Sequence, residues 1–204
     1  MPKVKVARKS TWVDMTAMTD VAFLLLTFFM LTSNFVKKEP VQIYTPASIS
    51  EIKIPETNIF TVLLDKNGKI FFGIDGQDNR RQLITRMGEK FNVSFTEKEI
   101  REYTLVDLTG NPMGALPTYL NLPVDQRENP KNNLGIPADS TDNQLRAWVK
   151  TAREINGEAR IAIKADEDTP YPTIKRVMKT LQQIDENRYN LITRLEGPAD
   201  EPKK

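Results

Sequence analysis

Hydrophobic positions fall along this chain in four different rhythms, and each predicts a different element. Residues 15–36 read MTAMTDVAFLLLTFFMLTSNFV, an almost unbroken apolar run of 22 residues with one charge, Asp20. As a helix it spans about 33 Å, enough for the hydrocarbon core of a bilayer. No second run of this kind occurs. Ile59–Leu64 is a short continuous apolar run, Asp65-Lys66-Asn67-Gly68 carries turn chemistry, and residues 69–73 form a second run, which together predict a β-hairpin. Helical spacing then places Leu83, Ile84, Met87 and Phe91 on one face of a helix over 78–91.

Further on, Thr96 and Glu99 have the spacing of a capping box, with Phe95 and Ile100 placed as a hydrophobic staple, for a helix ending near Leu108. Residues 110–140 hold five of the thirteen prolines and no periodicity, and read as a long irregular loop or insertion. A second capping box, Thr141 with Gln144, opens a helix lined by Leu145, Trp148, Val149, Ala152 and Ile155 and stopped at Gly157. Arg160–Ala165 reads as a strand. Pro170 then opens a helix carrying Ile174, Val177, Met178, Leu181 and Ile184, and 190–195 reads as a last strand before a polar tail. The fold class expected is α+β: a single N-terminal transmembrane helix followed by a small domain of helices packed on a mixed β-sheet. The divisions are 1–14, a basic N-terminus; 15–36, the membrane helix; 37–57, a tether; 58–195, the domain, with an insertion at about 76–140; and 196–204, the tail.

Charge narrows the function. In 204 residues, 29 Lys and Arg oppose 27 Asp and Glu, a net +2 without a basic stripe, so nucleic acid is not expected as a partner. Neither His nor Cys is present, which removes Ser-His and Cys-His catalysis, thiolate zinc and disulfides. Mean hydropathy is −0.45, so the chain outside the apolar run is polar. Lys3, Lys5, Arg8 and Lys9 precede the run, and the positive-inside rule keeps that end in the cytoplasm and exports the residues beyond the span. A cleaved signal peptide would have a shorter apolar core and a small-residue cleavage site, and neither is found.

The tether contains Pro40, Pro46 and Pro55, and its runs 41–44 and 49–54 alternate apolar with polar residues, as a strand added to a sheet edge would. Three short patterns have plain structural readings. Asp65 to Gly68 lacks the later ligands of a calcium loop; Asp166-Glu167-Asp168 could bind a cation, but acids just before a helix are what its N-terminus favours, and that reading is preferred; and Asn92-Val93-Ser94 is a glycosylation sequon by pattern alone.

Asp20 asks for more. A carboxylate in a spanning helix costs roughly 2.5 to 3.5 kcal/mol, and such residues usually serve ion or proton pathways. One reading sets it near enough to the membrane surface to reach the headgroups. The other notes that Thr16, Asp20, Thr27 and Asn34 recur at separations of 4, 7 and 7, one face of the helix, which predicts burial against other helices or a water-filled passage. A carboxyl group there can take up and release a proton, chemistry that no other side chain of the span offers.

With its short basic N-terminus, the MTAMTDVAFLLLTFFML span and a closing segment IAIKADEDTPYPTIKRVMKTLQQI, the chain resembles the ExbD/TolR family of biopolymer transport proteins. Asp20 and Thr16 match the family's intramembrane Asp and the Thr four residues before it. Ile163, Ala165, Asp166, Pro170, Tyr171, Val177, Met178 and Leu181 match its later strand and helix. The chain departs from the family at Ala17, where Pro is common, and in the extra length of 76–140. The resemblance implies a proton-driven motor subunit of the bacterial inner membrane, single-pass, with a periplasmic domain and no cofactor. It implies as partners an ExbB/TolQ-type multi-pass ring protein, a second copy or a paralogue, a TonB-like transducer and the lipid bilayer. Three rivals stand beside it: a flagellar stator subunit, a membrane-anchored scaffold or envelope-integrity module without proton coupling, and an anchored hydrolase.

Overall fold

The structure, a computed structural model, describes residues 15–33, 43–45, 47–48, 57–127, 129, 131–139, 141–186, 188–192 and 194–195. The chain divides into two compact units, 1–38 and 39–204. The first contains helix α1, Met15–Thr32, with no buried residue. No Gly or Pro interrupts it, and its Leu, Phe and Met side chains stand exposed all round, the surface expected of a helix whose solvent is lipid. The expected end at residue 36, together with residues 1–14 and the tail 196–204, lies outside the described residues.

The second unit is built on a four-stranded mixed sheet in the order β3 (Ile70–Ile74), β2 (Ile59–Leu64), β4 (Arg160–Ala165), β5 (Tyr189–Ile192). Strands β2, Ile59–Leu64, and β3, Ile70–Ile74, form the antiparallel hairpin predicted from the two apolar runs. Its turn closes through Asp65 N–H to Lys69 O (3.0 Å) and Gly68 N–H to Asp65 O (2.8 Å). Gly68 is required there: its φ is +75°, and a Cβ would lie 3.0 Å from Thr173 Oγ1. Strand β4, Arg160–Ala165, runs parallel to β2, and β5, Tyr189–Ile192, runs parallel to β4. Parallel pairs need long crossovers. The first supplies the helices α2, Gln77–Phe91; α3, Glu97–Leu105; α4, Leu116–Leu120; α5, Val124–Arg127; and α6, Gln144–Ile155. The second supplies α7, Tyr171–Gln182.

One sheet face, with Phe60, Val62, Phe72, Ile161 and Ile163, buries against the helices. Trp148 of α6 is fully enclosed there, 6.2 Å from Phe72 and stacked on Tyr103 at 6.2 Å. On the other face Leu63 and Phe71 meet Leu108 and the tether residue Ile43. Every residue of β3 is buried, because both of its faces are covered.

Segment 110–140 departs from the expected irregular loop. It contains α4 and α5 and places Met113, Leu116, Tyr119, Leu120, Ile136 and Ala138 in the main core. Together with Thr109 just before it, it also covers the outer edge of β3. Phe72 and Thr109 exchange backbone hydrogen bonds (2.8 and 2.9 Å), and Ile136 N–H donates to Ile70 O (2.8 Å). An uncovered strand edge recruits other strands, and this stretch removes one. Its helices are only 5 and 4 residues long, too short to leave a periodic pattern.

Helix starts hold one confirmation and one correction. Thr96 and Glu99 form the capping box, with both reciprocal bonds present. Thr141 with Gln144 does not: Asn143 caps α6, its Oδ1 accepting from Arg146 N–H (3.0 Å), because the first helical residue is Gln144 itself. Gln144 Oε1 instead accepts from Met113 N–H (2.9 Å) and ties residues 110–140 to α6. Helix α3 stops at Leu105, three residues before the expected end, and Ile184 lies past α7 in the turn, still packed on the core. The strand read over 190–195 is two pieces. β5 stays in the sheet, while β6, Arg194–Leu195, pairs in parallel with β1, Ala47–Ser48, of the tether. That pairing falls between the two alternating tether runs, most of whose residues lie outside the described ones.

Candidate functional site

Asp20 stands in the second turn of α1. Taking 100° per residue, Thr16, Asp20 and Thr27 fall within about 40° of one another around the helix. The structure therefore brings together three of the four residues of the predicted polar face; Asn34, the fourth, lies outside the described residues. Thr27 Oγ1 donates to the carbonyls of Phe23 and Leu24 (3.0 Å each), and Thr32 Oγ1 to Phe28 O (2.8 Å). Thr19, adjacent to the polar face and not singled out from the sequence, bonds back to Met15 O. Hydroxyls satisfied on their own helix are tolerated in lipid. Thr27 thus demands less of its surroundings than its polarity suggests. Asp20 is the exception: it is exposed, and its carboxylate has no hydrogen-bond or ion-pair partner among the described residues.

The domain contributes a second constellation at the carboxyl end of β4. Asp166, 5% exposed, uses both carboxylate oxygens: Oδ1 accepts from Asp168 N–H (3.0 Å) and Oδ2 from Tyr44 N–H of the tether (2.9 Å). Its oxygens are therefore engaged with backbone, and among the described residues no group of three acids is arranged to hold a metal ion. Asn92 of the sequon is the left-handed C-cap of α2, at φ 54°.

A recess of about 940 Å³ opens beside the starts of β4 and β5, lined by Arg153, Arg160, Glu186, Arg188, Tyr189 and Asn190. Its central arginine is fully occupied. Arg153 forms a two-pronged ion pair with Glu186, donates to Gly157 O (2.8 Å) and Ala159 O (2.7 Å), and lies 5.2 Å from the Phe60 ring centre. It clamps the end of α6 to the turn before β5. A buried arginine with another duty, Arg80, joins Asp107 at 2.6 Å and donates to Ile74 O and Thr104 O, fixing α3 to the hairpin.

The sequence matches the profile of the family described as "Biopolymer transport protein ExbD/TolR" over residues 7–196. A curated relative, Biopolymer transport protein exbD2 of Vibrio cholerae serotype O1, is 31% identical over 55 residues, 27% of this chain and 41% of the relative. That shared stretch spans less than half the length of the curated relative. No solved structure matches. The family match runs from before the apolar helix to beyond β6, and the chain belongs to the ExbD/TolR family of biopolymer transport proteins.

Proposed function

We propose that this chain is the proton-carrying subunit of an inner-membrane motor, with α1 crossing the membrane and the sheet domain in the periplasm. The observation that carries the reading is Asp20: one carboxylate without a partner among the described residues, on a helix where the hydroxyls of Thr27 and Thr32 back-bond to the helix itself. Such a group is unfavourable against lipid and finds its place among other helices. The partner chemistry is a multi-pass ring of the ExbB/TolQ type enclosing two copies of α1, or one copy and a paralogue. Thr16, Thr27 and Asn34 line the same face as supports. Asp20 takes a proton from one side and releases it to the other, and each proton moving across about 100 mV gains roughly 2.3 kcal/mol. Neutralising and recharging the carboxylate turns the helix relative to the ring. The periplasmic domain passes that motion to a TonB-like transducer, acting as a force transmitter and not as a catalyst.

Asp20→Asn keeps size and hydrogen bonding while removing the titrating group. The variant is expected to insert and to co-purify with its ring partner while energised uptake or envelope function is lost. Activity near that of the parent would refute the proton role and favour an anchored scaffold or envelope-integrity module.

A further inference from the structure

The tether is gripped through its backbone. Asp166 N–H donates to Leu64 O (3.1 Å), which fixes the residue at the end of the sheet. Its Oδ2 accepts from Tyr44 N–H (2.9 Å), and Glu167 N–H donates to Tyr44 O (2.8 Å), so both backbone groups of residue 44 are held. The Tyr44 side chain is 71% exposed and plays no part in the grip. Selection lies one residue earlier, where Ile43 packs on Leu63, Phe71 and Leu108. The other carboxylate oxygen accepts from Asp168 N–H (3.0 Å). Two backbone donors thus converge on one side chain, and only a carboxylate presents an acceptor to each; an amide would turn its NH2 group towards one of them.

We propose that Asp166 is a latch on the tether and that its engagement sets how far the domain can stand from the end of the membrane helix. Docked, the chain between Thr32 and Ile43 has eleven residue steps and spans at most about 40 Å whatever its conformation. Released from Asp166 but still held where β1 pairs with β6, it has fifteen steps to Ala47 and a limit of about 54 Å; once β1 also lets go, the twenty-seven steps to Ile59 allow about 97 Å. Opening the latch lengthens the reach by about a third, and loss of the β1–β6 pair after it more than doubles the reach, so that a partner beyond the shorter limit is met only after release. The latch is independent of proton carrying by Asp20 and would serve an anchored scaffold equally.

The test uses the full chain in lipid nanodiscs. Its absence of cysteine allows spin labels at Tyr44→Cys and Lys66→Cys only. In the parent, the Tyr44 amide is expected to exchange hydrogen at least tenfold more slowly than in Asp166→Asn or Ile43→Asp, while amides of β4 are unchanged. The label-to-label distance distribution should be narrow in the parent and broad in both variants. Ile43→Asp alters only the tether, so it decides the matter alone if Asp166→Asn weakens the sheet. Equal exchange at Tyr44 in all three proteins, or a parent distribution as broad as the variants', overturns the latch. Asp20→Asn should leave Tyr44 protection untouched, which separates failure of the latch from failure of the proton role.

Discussion

Glu99 joins two helix ends at once. Its carboxylate accepts from Thr96 N–H (2.8 Å) at the start of α3 and from Asn121 Nδ2 (2.6 Å) at the end of α4, and the residue is only 6% exposed. The backbone bond from Thr96 is the main reason its pKa lies below the ordinary glutamate value; burial acts the other way and only partly offsets it. A carboxylate whose pKa is lowered on folding stabilises the fold above its unfolded pKa, about 4.5, and that contribution disappears as pH falls through the lower folded value. Glu99→Gln is therefore expected to cost about 1 kcal/mol at neutral pH. The gap between parent and variant should close on acidification below about pH 4.5. Chemical denaturation at a series of pH values reads this directly, and a gap constant down to pH 3 would contradict it.

Elements announced themselves in the sequence where one local rule decided them. The hairpin needed only two apolar runs and Asp-Lys-Asn-Gly, and α3 needed only Thr96 and Glu99 at the right spacing. Asn143 shows where a local rule falls short. Thr141 and Gln144 have box spacing too, but Gln144 is drawn to Met113, a residue 31 positions away. Asn143 holds both the first turn of α6 and Thr180 Oγ1 (3.0 Å). Asn143→Ala should lower stability by about 1 to 2 kcal/mol and Thr141→Ala by only a few tenths, as read from urea midpoints. Equal effects would restore Thr141 as the cap. The split of 190–195 was illegible for a similar reason: β6 takes its partner from residues 47–48, nearly the whole domain away. Of the membrane face, position and periodicity were legible in Thr16, Asp20 and Thr27. That the Thr27 hydroxyl turns back onto its own helix was not, because spacing does not fix a side-chain rotamer.

On the scale of the whole molecule, residues 110–140 and the sheet share one core. Leu116 is fully buried in the same core as Phe72 and Trp148, although it comes from the stretch that reads as a proline-rich loop. Leu116→Ala should destabilise the entire domain by roughly 2 to 5 kcal/mol. Unfolding should remain a single transition in which α4 and β3 lose protection together, as followed by hydrogen exchange. Loss confined to α4 and α5, with the sheet unmoved, would mean that the insertion is an appendage after all.

The docking of the tether also has a history in time. Tyr44 and Asp166 are separated by 122 positions, and β1 waits for β6, which lies later still. During synthesis the tether leaves the ribosome long before the turn that will hold it exists. Local pieces such as the hairpin and the capped helices can form as they appear, whereas closing so long a loop carries an entropy cost that only a nearly finished sheet can offset. The segment made soonest after the membrane helix thus cannot be seated until residue 166 has been made, and each new molecule passes through its unlatched form before it reaches the latched one.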